Sequence, residues 1–433
     1  MIPLEEVQGL VRRACAPLPP TPVSVTDAFG CVLAAPALAQ VDVPPFANSA
    51  MDGYAVRALD TTDAPVTLEV IGRVLAGATL HGEVRQGEAV RIMTGAPVPD
   101  GADAVCMIER TRVVASGRVV VEATLVPGEN VRSSGGDVLT GQTVLDAGTE
   151  VGPIQLAALV SAGCTSLEVH PRPRVGVIST GDELVDPGRP LGPAQIFDSN
   201  RPMLLSLVEE SGCRAVDLGR SADDEDALVE RITGALGQVD ALVLSGGVSV
   251  GDVDVVRIAL DRMGGAATHW MQIAIRPAKP FSFSVLEGPR GAVPVFGLPG
   301  NPVSSAVSFE LLVRPALRRM ASRRVTERPR VVALAEAPLR RRPDGKTHFV
   351  RVQLEPAGDR TRGGRDGARD GTPSAAPAWT ARPCPGQGSH QIRSMGLADG
   401  LAVLADGDGV DAGRPVEVVV TNSALTAAFV GTS

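Results

Sequence analysis

The sequence predicts a multidomain α/β protein: a doubly wound, mostly parallel α/β domain joined to an all-β insertion, a small helical linker domain and a C-terminal β domain. Three observations predict it. The chain has 433 residues, and about 150 residues per domain leaves room for three or four cores. Residues 173–322 alternate short apolar runs with amphipathic runs of helical length, the pattern of parallel strands covered by helices on both faces. The flanking segments 40–145 and 323–433 instead carry short β-rich runs, broken by Gly, Pro and Asp in the manner of antiparallel structure.

Residues 1–39 and 146–172 are assigned to the linker domain. Leu4, Val7, Leu10, Val11 and Ala14 recur at helical spacing, and Pro17, Pro19 and Pro20 end that helix. A second helix, "PIQLAALVSA" (153–162), is bracketed by Pro153 and Gly163. The β insertion, 40–145, contains "VTLEVIGRV", "AVRIMTGA", "AVCMIE", "RVVVEATLV" and "QTVLDAG". In the α/β block, 173–322, the strands are "RVGVIST", "RAVDLG", "DALVLSGG" and "VPVFGLPG". Its helices are "RPMLLSLVEESG", "DEDALVERITGAL" and "VSSAVSFELLVRPALRRM". The C-terminal β domain, 323–433, is read from "RVVALAEA", "KTHFVRVQLE", "GLAVLAD" and "PVEVVVT". Inside it, 356–383 is rich in Gly, Arg, Asp and Pro and is expected to be a disordered loop.

Composition excludes several classes. A net charge of -8 and a pI near 5.3 argue against a general binder of nucleic acid or acidic membranes. The first residues are amphipathic, with Glu5 and Glu6, and do not read as a signal peptide. No run of about 18 apolar residues could span a bilayer, so the cytoplasm is the expected compartment. The six cysteines form no CxxC pair and the five histidines no HExxH motif. Buried, reduced thiols are expected, and a protein-held zinc or iron site is not.

Ligands of an open parallel sheet bind beyond the carboxyl ends of its strands. Those ends read "STGDEL" (179–184), "RSADDED" (220–226), "SGGVSVGDVD" (245–254) and "LPGNPVSS" (298–305). Small residues such as Gly246, Gly247, Ser249 and Gly251 let backbone N–H groups approach a phosphate. The acidic residues Asp182, Glu183, Asp223, Asp224 and Asp254 suit a hard cation such as Mg²⁺ bridging carboxylates and phosphate oxygens. Asp223 and Asp224 are equally readable as helix N-caps. The segment "AIRPAKPFSF" (274–283) holds Lys279, one of only two lysines, the other being Lys346. Arg276 and Lys279, stiffened by Pro277 and Pro280, offer positive charge to an anion. In the β insertion, "PPFANSAMDGYAV" (44–56), "IMTGAPVPDGAD" (92–103) and "GENVRSSGGDVLTG" (128–141) are polar and loop-like. Composition alone does not bring them to the sheet.

With "NSAMDGYAV", "IMTGAPVPDGADAV", "GENVRSSGGD", "ISTGDEL", "DSN", "SGGVSVGDVD", "RPAKPFSF" and "GLPGNPVS" in this order, the sequence resembles the molybdopterin molybdenumtransferases, the MoeA-type enzymes of molybdenum-cofactor synthesis. The N-terminal helix and "GQGSHQIRSMGLADG" also fit, leaving only the 356–383 insert outside the resemblance. The resemblance implies an elongated homodimer of four-domain subunits, whose cleft lies between the molybdopterin-binding domain of one subunit and the β insertion of the other. It implies insertion of molybdate into the dithiolene of adenylylated molybdopterin with release of AMP, dependent on Mg²⁺.

Carried over by motif, Asp52, Thr94, Asp137, Glu183, Asp254 and Lys279 are the catalytic candidates, the first three completing the site from the partner subunit. Asp182, Ser245, Gly246, Gly247, Ser249, Gly251, Arg276, Pro299 and Asn301 are the substrate-binding candidates. Glu183, Asp223 and Asp224 are the candidates for the metal. The implied partners are a molybdopterin adenylyltransferase and apo-molybdoenzymes, with no nucleic acid and no membrane. The family commonly shows Lys-Pro-Gly-Lys-Pro where this chain has Arg276-Pro-Ala-Lys-Pro, so charge is kept at 276 while a planar guanidinium replaces the compact ammonium and Ala278 the glycine. A non-catalytic molybdopterin carrier or scaffold, a tungstate-preferring homologue and the related adenylyltransferase are the alternatives. The last resembles only the 174–320 block.

Overall fold

Side chains along strand Arg174–Thr180 alternate between two interiors, Val175 and Val177 entering one core and Ile178 the other. Strand Ala241–Ser245 does the same, with Ala241 and Val243 on the first face and Leu242 and Leu244 on the second. A strand buried on both faces needs helices on both. The structure is a computed structural model that describes all residues except 80–81, 116, 248–254, 265–267, 358–377 and 426–433. It divides into a unit of Pro20–Val169 and a unit of Met1–Pro19 with His170–Ser433.

In the second unit, the sheet runs Arg214–Ser221, Arg174–Thr180, Ala241–Ser245, Gly291–Leu298, Pro280–Gly288, His269–Gln272. The first four strands are parallel, Pro280–Gly288 runs antiparallel to them, and His269–Gln272 is antiparallel to Pro280–Gly288, in keeping with the doubly wound, mostly parallel expectation. Helix Asn200–Glu210 buries Leu204 and Val208 in the first core, which also takes Val7 and Val11 of helix Leu4–Ala14. Helix Glu225–Leu236 and helix Val255–Arg262 cover the opposite face with Leu228, Ile232, Val256 and Leu260. A Cβ on Gly176 would stand 2.5 Å from Leu218 Cδ1 and 2.8 Å from Leu242 Cδ2, so glycine leaves that space to its neighbours' side chains.

Two antiparallel strands extend the sheet beyond the sequence expectation. Pro280 opens the first, where its missing N–H costs least, and Phe283 packs on Phe296 with ring centroids 5.4 Å apart. The "AIRPAKPFSF" segment is therefore partly a strand. The long helix expected over 303–320 forms in three pieces, Pro302–Ser308, a π-helical turn Phe309–Val313, and Arg314–Met320.

Glu310 lies in that π-turn, with its side chain 2% exposed, and faces Arg328, also 2% exposed. Arg328 donates from Nε and Nη2 to both Glu310 carboxylate oxygens at 2.9 and 2.8 Å. Its Nη2 also reaches Glu210 at 2.7 Å. Arg314 adds a second buried cation 3.9 Å from Glu310, its pKa lowered by burial.

Past this network the chain enters a closed β-barrel. Its strands run Thr347–Pro356, Trp379–Pro383, Arg330–Ala335, Pro415–Val420 and Gly400–Leu404, the last pairing back onto the first. Closure leaves no free edge among these strands. Ile275–Arg276 from the α/β block pairs in parallel with Thr347 and His348. The loop expected over 356–383 is shorter at its end. Trp379–Pro383 is a barrel strand paired in parallel with Ala333–Ala335, while 358–377 lie outside the described residues.

In the unit Pro20–Val169, Val25, Leu33, Ala39, Leu159 and Leu167 form one core around helix Pro153–Ser161. A six-stranded sheet, Ala104–Met107, Gly53–Val56, Glu88–Ile92, Val66–Val74, Arg118–Val121, Thr111–Ala115, forms separate cores on its two faces. All six cysteines are buried free thiols, and burial pushes Cys15 and Cys213 up to about 12. Among the described residues, no helix is long and apolar enough to cross a membrane.

Replacing Glu310 leaves Arg328 and Arg314 buried with their counter-charge reduced. Glu310→Ala is expected to lower stability by about 3–5 kcal/mol, read as a shift of the urea-unfolding midpoint. Asp411→Ala, which breaks the exposed Arg340–Asp411 pair, is expected to cost less than about 1 kcal/mol.

Candidate functional site

Strand Arg174–Thr180 has a parallel neighbour on each side. The connections leaving it and its neighbour turn to opposite faces there, and a crevice opens beyond the carboxyl ends. The cavity has a volume of about 890 Å³. Its walls come from the strand ends Thr180, Ser245 and Gly246, from Glu183 and Asp223, and from Pro299 and Asn301. Asp198, Asn200 and His390 complete them.

Two glycines let the strand ends meet. Gly246 has φ +102°, and a Cβ there would lie 2.6 Å from the Thr180 carbonyl oxygen. Gly247 has φ +65°, and a Cβ would lie 2.5 Å from Val256 Cγ2. Both positions are strained for any other residue. Asn200 ties the walls together: its Nδ2 donates to Ser245 Oγ at 2.9 Å and to the Gly300 carbonyl at 2.8 Å. The Asn200 Oδ1 is buried without a partner among the described residues. Asp198, 2% exposed, accepts from Ser179 Oγ at 2.5 Å and from Arg201 N at 3.1 Å and Nε at 3.2 Å. Arg201 also donates to Asp217 and Asp186, so the Asp198 carboxylate is spent on holding the wall.

The acidic candidates separate by role. Glu183 and Asp223 line the cavity. The Asp182 amide donates to Asp223 Oδ2 at 3.4 Å and the Asp223 amide to Asp182 Oδ1 at 3.2 Å, fastening two strand-end loops to each other. Asp224 is the N-cap of helix Glu225–Leu236, accepting from the Ala227 amide at 2.8 Å. Among the described residues, no three His, Cys, Asp or Glu converge as a self-contained metal site. Glu183 and Asp223 fit a cation that takes one or two carboxylates and fills its shell with water and phosphate oxygens. Ser249, Gly251 and Asp254 lie outside the described residues.

Arg276 and Lys279 do not share a described cavity. Arg276 lines a second one, of about 550 Å³, with Arg341, Arg342, Asp344 and His348. Burial, together with Arg341 and Arg276, lowers the pKa of His348 against the opposing effect of Asp344. Lys346 beside Asp344 holds that carboxyl down at about 2, with help from His348. Lys279 is exposed, its carbonyl accepting from the Ile273 amide at 2.7 Å, and it leads into Pro280 in the first cavity's wall. Between the two cations Ala278 is buried with φ +75°, a conformation natural to glycine and strained for alanine.

In the unit Pro20–Val169, Asp52 and Thr94 meet. The Thr94 amide donates to Asp52 Oδ1 at 2.7 Å and Thr94 Oγ1 donates to the same oxygen at 2.9 Å. These bonds, the amide first, hold the Asp52 carboxyl below its ordinary range, with Arg91 adding to the effect. Asp137 is exposed in its loop, where its amide donates to the Val43 carbonyl at 2.9 Å. Nearby Asp42 accepts from Thr140 N at 2.8 Å and Oγ1 at 2.7 Å.

Sequence reasoning passed over Asp198, Asn200 and His390. "DSN" was visible as a motif without a role, and His390 belongs to "GQGSHQ", whose contact with the cavity only the fold reveals.

The α/β domain with its strand-end cavity is of a recognised class: residues 176–319 match the family described as "Probable molybdopterin binding domain". Residues 2–163 match the "MoeA N-terminal region (domain I and II)" and 373–421 the "MoeA C-terminal region (domain IV)". The chain belongs to the molybdopterin molybdenumtransferase family. It is 38% identical over 307 residues to the Haemophilus influenzae molybdopterin molybdenumtransferase, covering 71% of this chain and 74% of the relative. With that of Bacillus subtilis it shares 33% over 409 residues, 92% of this chain and 89% of the relative. The solved structure of the molybdopterin biosynthesis MoeA protein from Pyrococcus horikosii matches with a TM-score of 0.73 at 32% identity, covering 97% of this chain and 99% of that one.

Because the folded Asp52 pKa is depressed, its bonds to Thr94 stabilise the unit above the ordinary carboxylate range. That contribution is lost as pH falls through the folded value. Thr94→Val removes the hydroxyl donor and keeps the amide. The Asp52 pKa, followed by carbon-detected NMR titration, is expected to rise part of the way to its ordinary value. An unchanged titration would show that the hydroxyl bond is not made.

Proposed function

We propose that this chain inserts molybdate into adenylylated molybdopterin and releases AMP, acting in molybdenum-cofactor biosynthesis. The observation that supports it best is the cavity of about 890 Å³ at the carboxyl edge of the sheet, walled by Glu183 and Asp223. Its place at the switch point suits a phosphate-bearing ligand, and the relatives' names state molybdopterin and molybdenum transfer. In the reaction water attacks phosphorus, the new P–O bond forming as the phosphoanhydride bond breaks, and AMP leaves from the pterin phosphate. Molybdate exchanges oxo groups for the two dithiolene sulfurs, and the oxygen lost departs as water.

The residues divide the work. Ser245, Gly246, Gly247, Pro299 and Asn301 shape the floor against the pterin phosphate, and Ser249 and Gly251, outside the described residues, are assigned to the same ligand by sequence. Glu183 and Asp223, with Asp224 at the adjacent cap and Asp182 bracing Asp223, would hold Mg²⁺. When bound, Mg²⁺ supplies charge neutralisation at the phosphate oxygens. Asp254 belongs to the same acidic set. Lys279 and Arg276 serve incoming oxyanions, Lys279 beside the wall residue Pro280 and Arg276 from the second cavity. Asp52, Thr94 and Asp137 complete the site from a second copy of the chain in a homodimer. The setting is cytoplasmic, between an adenylyltransferase that supplies the substrate and the apo-molybdoenzymes that receive the product.

Incubation of the purified chain with adenylylated molybdopterin, Mg²⁺ and molybdate is expected to release AMP in step with molybdenum loading of the pterin, and a parallel reaction with tungstate reports oxyanion preference. Absence of AMP with both oxyanions replaces this reading with that of a carrier.

Lys279 is one of only two lysines in the chain, and a compact ammonium differs from a planar guanidinium in reach and hydration. Lys279→Arg is expected to lower kcat/KM for molybdate about tenfold or more, whereas Lys346→Arg keeps it within about twofold. Equal activity in the two variants removes Lys279 from the proposed site.

A further inference from the structure

The cavity poses a charge problem. Its walls carry the carboxylates of Glu183, Asp198 and Asp223, and among the described lining residues there is no lysine or arginine. A phosphate entering such a space meets repulsion unless a donor or cation faces it. Among the described lining residues, the one side chain able to become cationic near neutral pH is the imidazole of His390. It comes from the C-terminal domain, so the barrel reaches into the α/β domain's own cavity.

The His390 loop is held firmly. The Val303 amide donates to the Ser389 carbonyl at 3.1 Å, fixing the loop to the helix that starts at Pro302. Buried Arg351 donates from Nη2 to the Gly386 carbonyl at 3.1 Å and the Gly388 carbonyl at 3.3 Å. Gln387 accepts from the Arg351 amide at 3.1 Å and donates to the Arg351 and Cys384 carbonyls at 3.0 Å each. The Gly388 amide donates to Gln391 Oε1 at 2.7 Å. A Cβ on Gly388 would lie 2.9 Å from His390 Cε1, so the ring folds close over a backbone that only glycine keeps clear. The backbone that presents His390 is thus fixed, while the residue itself is exposed to an entering ligand.

We propose that His390 is a substrate-binding residue that donates a hydrogen bond to a phosphate oxygen of the anionic ligand, adding a cationic contact when protonated. This rests on the reading of the cavity as a phosphate site. The charged side chains that line the cavity with His390 are Glu183, Asp198 and Asp223, while Arg393 lies on the following short helix and Arg351 donates to the loop's carbonyls. Asp198 is already committed to Ser179 and Arg201.

The test is calorimetric titration of the full chain with AMP, adenosine as the uncharged control, and the variant His390→Gln. At pH 6 the variant is expected to bind AMP about tenfold more weakly than wild type, because a charge-assisted bond is lost. By pH 8.5 the ratio falls toward about two, where both side chains are neutral donors. Adenosine binding is the same for both proteins. Equal AMP affinity of variant and wild type at every pH overturns the inference while leaving the phosphate reading intact. Absence of AMP binding by the wild type overturns both. A measurement independent of the variant's folding is the His390 imidazole titration by NMR in the wild type. AMP is expected to raise its pKa, and an unmoved titration overturns the inference.

Discussion

The cavity depends on a constraint of parallel sheets. Strand Arg174–Thr180 is flanked by Arg214–Ser221 and Ala241–Ser245, both parallel to it, and successive parallel strands need crossovers that cover the faces with helices. Where the winding reverses, the strand-end loops must part, and the backbone groups in the gap lack sheet partners. Here the gap is bridged by Asn200, whose amide joins Ser245 to Gly300, and by the mutual amide contacts of Asp182 and Asp223. What remains open is the candidate site.

The second constraint is charge. Net acidity is carried into the cavity by Glu183 and Asp223, a composition that suits a ligand accompanied by its own cation. Positive side chains are kept elsewhere or fully committed: Arg201 is shared among Asp186, Asp198 and Asp217, and Arg328 is closed between Glu310 and Glu210. Burial of such pairs does not by itself stabilise a fold. Its value here is directional, since the Glu310–Arg328 pair fixes the π-turn in the middle of the helical run that begins at the cavity to the segment just before the barrel's strand Arg330–Ala335.

Much of this was legible in the sequence because hydrophobic period reports burial directly. Strand "VTLEVIGRV" was bounded as the structure has it, Val66–Val74, and the parallel block was read from strands such as "RVGVIST", Arg174–Thr180. The strand ends pointed to Glu183, Asp223 and the Ser245–Gly247 turn because crevice position follows from topology. The misses have physical reasons. Strand Pro280–Gly288 was not among the expected strands, because Pro277 and Pro280 were read only as stiffening a cationic segment, although a first-position proline is compatible with pairing. Asp224 could serve a cation or a cap by composition, and only the Ala227 amide distance shows the cap. The separation of Arg276 from Lys279 turns on the left-handed backbone of Ala278, which no residue pattern announces for alanine. Asn200 and His390 matter through contacts made across long stretches of chain, where local periodicity carries no information.

The place of His390 on the last domain also sets an order of events during synthesis. Domains fold largely as they emerge, the N-terminal ones first. The α/β sheet can assemble once Leu298 is free, yet its crevice keeps one wall missing until the barrel segment that carries Ser389 and His390 has docked on Val303. A nascent chain therefore holds an open, acidic groove before it holds a finished pocket. The pocket's lining is completed late, with the segment that carries His390.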